Sequence, residues 1–247
     1  MKLCHLFMRH LAAEDFQQPT FTSFFKLQFL PITTSEPTKP AGHSNSEGAK
    51  MMNWYEKLNQ YFPVEEMKSK DHMDTLLKEK GSVYYKDEGP YHVLMYAEFP
   101  SFSFVDYLFV SKESRGMGIG KKTLQMLKDK DKPIILEVEP VDYEDTDSEK
   151  RLRFYAREGF EHASSIGYCR RSLATGEENS MEILYWAPNG ETEEEIFEAM
   201  KKMYEDIHTY KDEHFYGESY DPVSDVLTRK EQDQQDILKP FSDPVNK

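Results

Sequence analysis

The sequence predicts an α/β (α+β) fold: a mixed, mostly antiparallel central sheet with helices on both faces, followed by a C-terminal helical extension. Three observations predict it. Strand-like segments follow one another through short turns early in the patterned part of the chain, the mark of antiparallel hairpins. A single strand–helix–strand stretch comes next, over about residues 104–138, the mark of one parallel crossover. An amphipathic helix stands beyond the last strand, outside any repeated βαβ array.

The elements follow in order. Residues 1–50 are rich in Thr, Ser, Pro and Gly from Thr20 onward and carry no sustained period. They read as a disordered arm, or as a leader upstream of a true start at Met51 or Met52. The second reading rests on Glu47-Gly48-Ala49, whose codons can hold a purine-rich ribosome-binding sequence. A helix is expected from Pro63, with Val64, Met67, Met73, Leu76 and Leu77 on its apolar side and a stop at Gly81. Ser82 to Lys86 and Tyr91 to Phe99 make a hairpin around Asp87-Glu88-Gly89-Pro90, and Phe104 to Val110 is the third strand. A helix runs from about Ile119 to Lys130, then a buried strand from Pro133 to Val138. An acidic loop at 142–147 leads to a helix ending at Gly159. Phe160 to Cys169 and Met181 to Trp186 are the last two strands. Thr192 to Tyr210 is a helix, with Thr192 as N-cap and Glu195 three residues on. The polar tail from Asp212 is expected to be partly disordered. The domain reading is therefore 1–50, 51–188 and 189–247.

Charge and composition exclude several classes. The formal net charge is −14, so no basic footprint for nucleic acid exists, and cationic partners are favoured. Cys4 and Cys169 make no disulfide framework and no zinc spacing, which points to a reducing, cytoplasmic setting. No apolar run approaches a membrane span.

The chemistry sits at Arg115-Gly116-Met117-Gly118-Ile119-Gly120, where a strand feeds a glycine-rich turn that opens a helix. Such a turn presents unsatisfied N–H groups and the positive end of the helix dipole to a phosphate. A P-loop would need glycine at Arg115 and Ser or Thr at Lys122. The dinucleotide fingerprint needs a different glycine spacing from Gly116, Gly118 and Gly120. The pattern that fits is Arg/Gln-x-x-Gly-x-Gly/Ala, met by Arg115, Gly118 and Gly120.

The stretch Tyr107 to Gly120 resembles the acetyl-CoA signature of the GNAT family of N-acetyltransferases. Arg153-Phe154-Tyr155-Ala156-Arg157-Glu158-Gly159-Phe160 resembles that family's Phe-Tyr-x-x-x-Gly-Phe element. The likeness spans roughly Val64 to Pro188 and implies an acyl-CoA N-acyltransferase-like fold. It also implies acetyl-CoA as co-substrate, with no metal, and transfer by direct attack of an amine on the thioester. Leu108, Phe109 and Val110 would offer backbone groups to the pantetheine arm. Arg115, Gly116, Met117, Gly118, Ile119, Gly120 and Lys121 would hold the pyrophosphate, with Ile119 packed inward. Tyr155 would protonate the leaving thiolate. Glu137 and Glu139, which alternate with Leu136 and Val138, are the candidate bases; a solvated strand end is the alternative for them. Ser148 stands where the family often has Asn. The acceptor would be a small-molecule or peptide amine, with neither nucleic acid nor membrane as partner. The helix from Thr192 would cover the acceptor pocket, form a homodimer contact or decorate the surface. The rival reading is a non-catalytic acyl-CoA-binding sensor or degenerate enzyme.

Overall fold

The computed structural model describes residues 52–140, 146–230 and 235–242. The arm or leader expected at 1–50, and the acidic loop over 142–145, lie outside the described residues.

Two short helices open the described chain. Helix α1 (Trp54–Asn59) is capped by Asn53, whose side chain accepts from Tyr55 and Glu56 while Glu56 reaches back to the Asn53 amide. Helix α2 (Lys70–Glu79) starts at Ser69, whose side chain accepts from the His72 amide. The helix expected from Pro63 is therefore shorter. Ser69 is a strong N-cap, and Pro63 to Met67 forms a turn held by Glu66 N–H to Pro63 O (3.1 Å).

Strands β1 (Tyr84–Gly89), β2 (His92–Glu98) and β3 (Ser103–Val110) form an antiparallel meander. Helix α3 (Ile119–Lys128) crosses over to β4 (Ile134–Val138), which pairs parallel with β3. Helix α4 (Thr146–Arg157) returns the chain to the far edge. There the strand expected over Phe160 to Cys169 is broken into β5 (Glu161–His162) and β6 (Ile166–Arg171). Ser165 explains the break: its amide and hydroxyl both donate to the Glu193 carboxylate, which fixes a turn. Long β7 (Glu178–Trp186) pairs β4 on one edge and β5 and β6 on the other. The sheet runs β1-β2-β3-β4-β7-β6, antiparallel except at β3–β4.

Beyond it, α5 (Glu193–Met203) carries the expected Thr192–Glu195 capping box and continues as a π-helical turn over Tyr204–His208. The described part of the tail carries regular elements. Helices α6 (Asp212–Tyr216) and α7 (Val223–Val226) lead to β8 (Leu227–Arg229), which adds to the β6 edge. Helix α8 (Lys239–Ser242) ends the described chain. A few anchors hold this segment: Val226, Leu227 and Leu238 are buried, and Asp212 accepts from the Tyr220 amide (2.8 Å). Sparse anchors in a charged background give no periodic signal to read.

Helices cover both faces, so β2 is buried almost throughout its length. On one face Val93, Met95, Phe104, Ile135 and Ile183 pack against α1, α2 and α5. On the other, Leu94, Val105, Leu136 and Leu184 pack against Leu124 and Leu127 of α3 and Leu152 and Tyr155 of α4. Ile196, Met200, Met203 and Tyr204 belong to the first of these cores, so the boundary drawn at residue 188 has no counterpart in the packing. Among the described residues, no helix is long and apolar enough to cross a membrane.

Candidate active site

The site begins with an irregular strand. Between β2 and β3 the register runs Tyr96↔Val105 and then Met95↔Tyr107, so Asp106 is an extra residue, a β-bulge. A bulge bends its strand and twists it away from a neighbour. The parallel pairing of β3 with β4 accordingly stops at Val105↔Leu136. Beyond that point, among the described residues, β3 stays paired only to β2, and β4 only to β7. The two central strands open into a wedge. Alternate residues of the free stretch Tyr107–Val110 turn their N–H and C=O groups away from β2 and into it.

The glycine turn follows at the top of β3. Gly116 and Gly118 have φ of 84° and 72°, the left-handed region that glycine occupies without strain. Gly118 is the N-cap of α3 and has no side chain to fold back over the helix end. The first bond of the helix is Lys122 N–H to Gly118 O (3.0 Å). The amides of Gly118, Ile119, Gly120 and Lys121 meet no acceptor among the described residues. A Cβ placed on Gly116 or Gly118 would meet nothing within 4 Å, whereas one on Gly120 would lie 3.2 Å from the Phe154 ring. The first two glycines thus leave open space above the amides. Gly120 instead lets α4 pack close.

Between wedge and turn lies a cavity of about 530 Å³. Leu108, Val110, Arg115, Gly116, Gly118, Ile119, Gly120, Lys121 and Tyr155 all line it. Ile119, the first residue of α3, is half-buried at the cavity rim. Phe109 and Met117 do not line it. Phe109 packs on the other sheet face against Tyr61, ring centroids 5.9 Å apart, and Met117 is exposed, which leaves their backbones alone for a binding role. Arg115 donates both guanidinium nitrogens to Asp147 (3.3 and 3.1 Å), and this pairing holds the Asp147 carboxyl down at about 2. Ser148, in the first turn of α4, is buried.

Tyr155 is buried in the wall of the cavity, and its hydroxyl makes no hydrogen bond to the described residues. Burial raises its pKa, with the Arg151 charge acting weakly the other way. The group stays a protonated donor throughout the physiological range.

The two candidate bases separate. Glu137 points to the face of the sheet that carries α5, where it is buried, accepts from His208 Nε2 (2.9 Å) and lies 3.9 Å from Arg170 Nε. Burial opposes ionisation of Glu137, but His208 and Arg170 outweigh it and the pKa falls. Burial keeps His208 itself neutral, so it serves as an N–H donor, and Arg170 is the counter-charge. Glu137 is neither a solvated strand end nor in the cavity wall. Replacing it with alanine would leave Arg170 buried without its carboxylate. The Glu137→Ala variant is expected to lose about 3–5 kcal/mol in urea denaturation.

Glu139 does not line the cavity either, but its partner does. It is half-exposed just beyond β4 and accepts from Arg151 (2.7 Å), which lines the cavity. Beside it stands Glu66, a position that no motif or spacing singles out. The Tyr107 hydroxyl of β3 donates to Glu66 O (2.8 Å) and accepts from the Lys68 amide (3.0 Å), pinning this loop over the wedge. The Glu66 carboxyl is pushed up to about 8, chiefly by burial and then by the adjacent Glu139 carboxyl. The signal for Glu66 was absent because its anchor lies far along the chain. Among the described residues, no three His, Cys, Asp or Glu side chains gather into a metal site.

YjbC of Bacillus subtilis (strain 168), a protein assigned to the acetyltransferases, is 66% identical over 184 residues, 74% of this chain and 96% of its own length. A structure assigned to the GNAT acetyltransferases, from Bacteroides thetaiotaomicron, is similar in fold with a TM-score of 0.51. It shares 24% identity and the match covers 64% of this chain and 90% of that one. The Salmonella typhimurium acetyltransferase yncA, solved with its cofactor acetyl-CoA, matches more distantly: 13% identity, 41% of this chain and 60% of its own, TM-score 0.30. No family model matches the chain. With 66% identity across nearly the whole of an assigned acetyltransferase, and with the sheet of the GNAT fold, the chain belongs to the GNAT family of acetyltransferases.

Proposed function

We propose that this acetyltransferase takes the acetyl group from acetyl-CoA and delivers it to an amine by direct attack. One observation carries the reading: the cavity joins three features that fit the three parts of that co-substrate. The unpaired amides from Gly118 to Lys121 suit the pyrophosphate. The free edge of β3 at Leu108 to Val110 suits the amide-bearing pantetheine arm. The unpartnered Tyr155 hydroxyl, farther along the same wall, suits the sulfur.

The co-substrate supplies an electrophilic carbonyl with a thiolate leaving group. The chain's own residues do the rest. Backbone N–H groups near Val110, aimed into the wedge, stabilise negative charge developing on the carbonyl oxygen, and they are fixed before the reaction begins. Tyr155 gives its proton to the departing sulfur and regains one from solvent. Glu139, held by Arg151, is the carboxylate this reading offers as base to the amine. The acidic balance of −14 favours a cationic acceptor, either a small amine or a peptide amine.

The test is thiol release from acetyl-CoA over polyamines, amino acids, aminoglycosides and peptides with free N-termini, with products weighed by mass spectrometry. The reading expects amine-dependent release matched by acetylated amine. Saturable binding of acetyl-CoA with no release across the whole panel would favour a binding module instead.

A further inference from the structure

Arg151 stands one helical turn before Tyr155 on α4, and side chains four residues apart are neighbours on a helix face. Both line the cavity. Nη2 of Arg151 donates to the Glu139 carboxylate (2.7 Å), and the other guanidinium nitrogens meet no acceptor among the described residues. The pair is lopsided. The Arg151 side chain is 22% exposed and that of Glu139 is 40%, so water screens the carboxylate more than the guanidinium. A cation that is only partly cancelled therefore stands in the cavity wall beside the Tyr155 hydroxyl. Tyr155 needs such a neighbour. A phenol is a weaker acid than a thiol, and burial weakens this one further, so passing its proton to a thiolate runs uphill. Negative charge released at the sulfur calls for a second partner.

We propose that the Arg151 guanidinium pairs with the departing sulfur and carries the negative charge that forms there. The proposal rests on the acetyl-CoA reading above and adds a second residue on the leaving-group side. The amine lone pair forms the N–C bond, the C–S bond breaks, and its electron pair goes to the sulfur. Arg151 meets that thiolate as it forms. Tyr155 donates a hydrogen bond to it and then its proton, and the charge left on the phenol oxygen faces the same guanidinium. Tyr155 regains a proton from solvent, and the surplus proton of the nitrogen leaves through the base to solvent. One fixed cation serves both anions without reorganising, and it does so most strongly where water is excluded. Arginine suits the task because it stays charged throughout the working range. The titratable groups that feel its charge are Tyr61 after α1, Glu66 ahead of α2, Glu139 beyond β4 and Tyr155 on its own helix.

The experiment needs no turnover. Coenzyme A and desulfo-coenzyme A, which has hydrogen in place of the thiol, are titrated by calorimetry from pH 6 to 9 into wild type, Arg151→Met, Arg151→Lys and Glu139→Gln. A thiolate stabilised in the complex lowers the thiol pKa there, so the wild-type preference for coenzyme A over the desulfo compound should grow as pH rises. Arg151→Met is expected to lose about a tenfold share of that preference at pH 9, with desulfo-coenzyme A affinity held within about twofold. Arg151→Lys keeps the charge and should recover part of the preference. Glu139 is half-exposed, so its carboxylate hydrates when left alone and Arg151→Met should keep the wild-type circular dichroism. Glu139→Gln should keep the full preference, because the guanidinium acts on the sulfur directly. In amine-dependent turnover, Arg151→Met should lose at least about tenfold in kcat, with KM for acetyl-CoA within about threefold. A preference in folded Arg151→Met equal to that of wild type overturns this inference alone. So does an equal loss in Glu139→Gln, which would make Arg151 only a brace between α4 and the end of β4. Failure of both compounds to bind wild type overturns it together with the acetyl-CoA reading.

Discussion

Gly118→Glu is expected to weaken acetyl-CoA binding by on the order of 10³-fold, measured by isothermal titration. Two effects add. The residue sits at φ 72°, so any side chain strains the N-cap and tilts the first amides of α3. The carboxylate then enters the open space above those amides, where it competes for the same N–H groups and repels a phosphate. Losing two charge-assisted hydrogen bonds at roughly 1.5–3 kcal/mol each already accounts for the loss. Gly118→Ala shares the backbone strain without the charge and should bind with an intermediate affinity. Unchanged affinity in a Gly118→Glu protein with native circular dichroism would remove the turn from the binding site.

Tyr155→Phe is expected to lower kcat by about 10²-fold while changing acetyl-CoA affinity less than about threefold. The hydroxyl makes no bond to the described residues, so its loss orphans no protein group and the melting temperature should stay put. Burial raises the Tyr155 pKa, so wild-type activity should also hold past the pH at which an exposed tyrosine would ionise. Equal turnover in the phenylalanine variant would take Tyr155 out of the acid role and leave it a packing residue.

Legibility in the sequence followed the range of the interaction. The glycine turn could be read because its causes are local: three glycines, a strand before them and a helix after. The capping box of Thr192 and Glu195 was legible for the same reason. The wedge was not, because the bulge at Asp106 exists only through the β2–β3 register. The same limit applies to Glu66, whose backbone is fixed by a hydroxyl 41 residues away. It applies also to Glu137, whose partners Arg170 and His208 come from β6 and from the turn after α5. Alternation along β4 could not show that the packing of the C-terminal segment ties Glu137 to His208 and Arg170. That segment looked like an appendage because its composition is charged, yet Val226, Leu227 and Tyr204 complete the core on the α5 side.

Diffraction from crystals soaked or grown with acetyl-CoA would locate the co-substrate. The pyrophosphate is expected on the amides between Gly116 and Lys121, the pantetheine arm against Leu108 to Val110, and the sulfur within hydrogen-bonding distance of the Tyr155 hydroxyl. Acetyl-CoA density elsewhere on the molecule, with this cavity filled only by water, would contradict this placement.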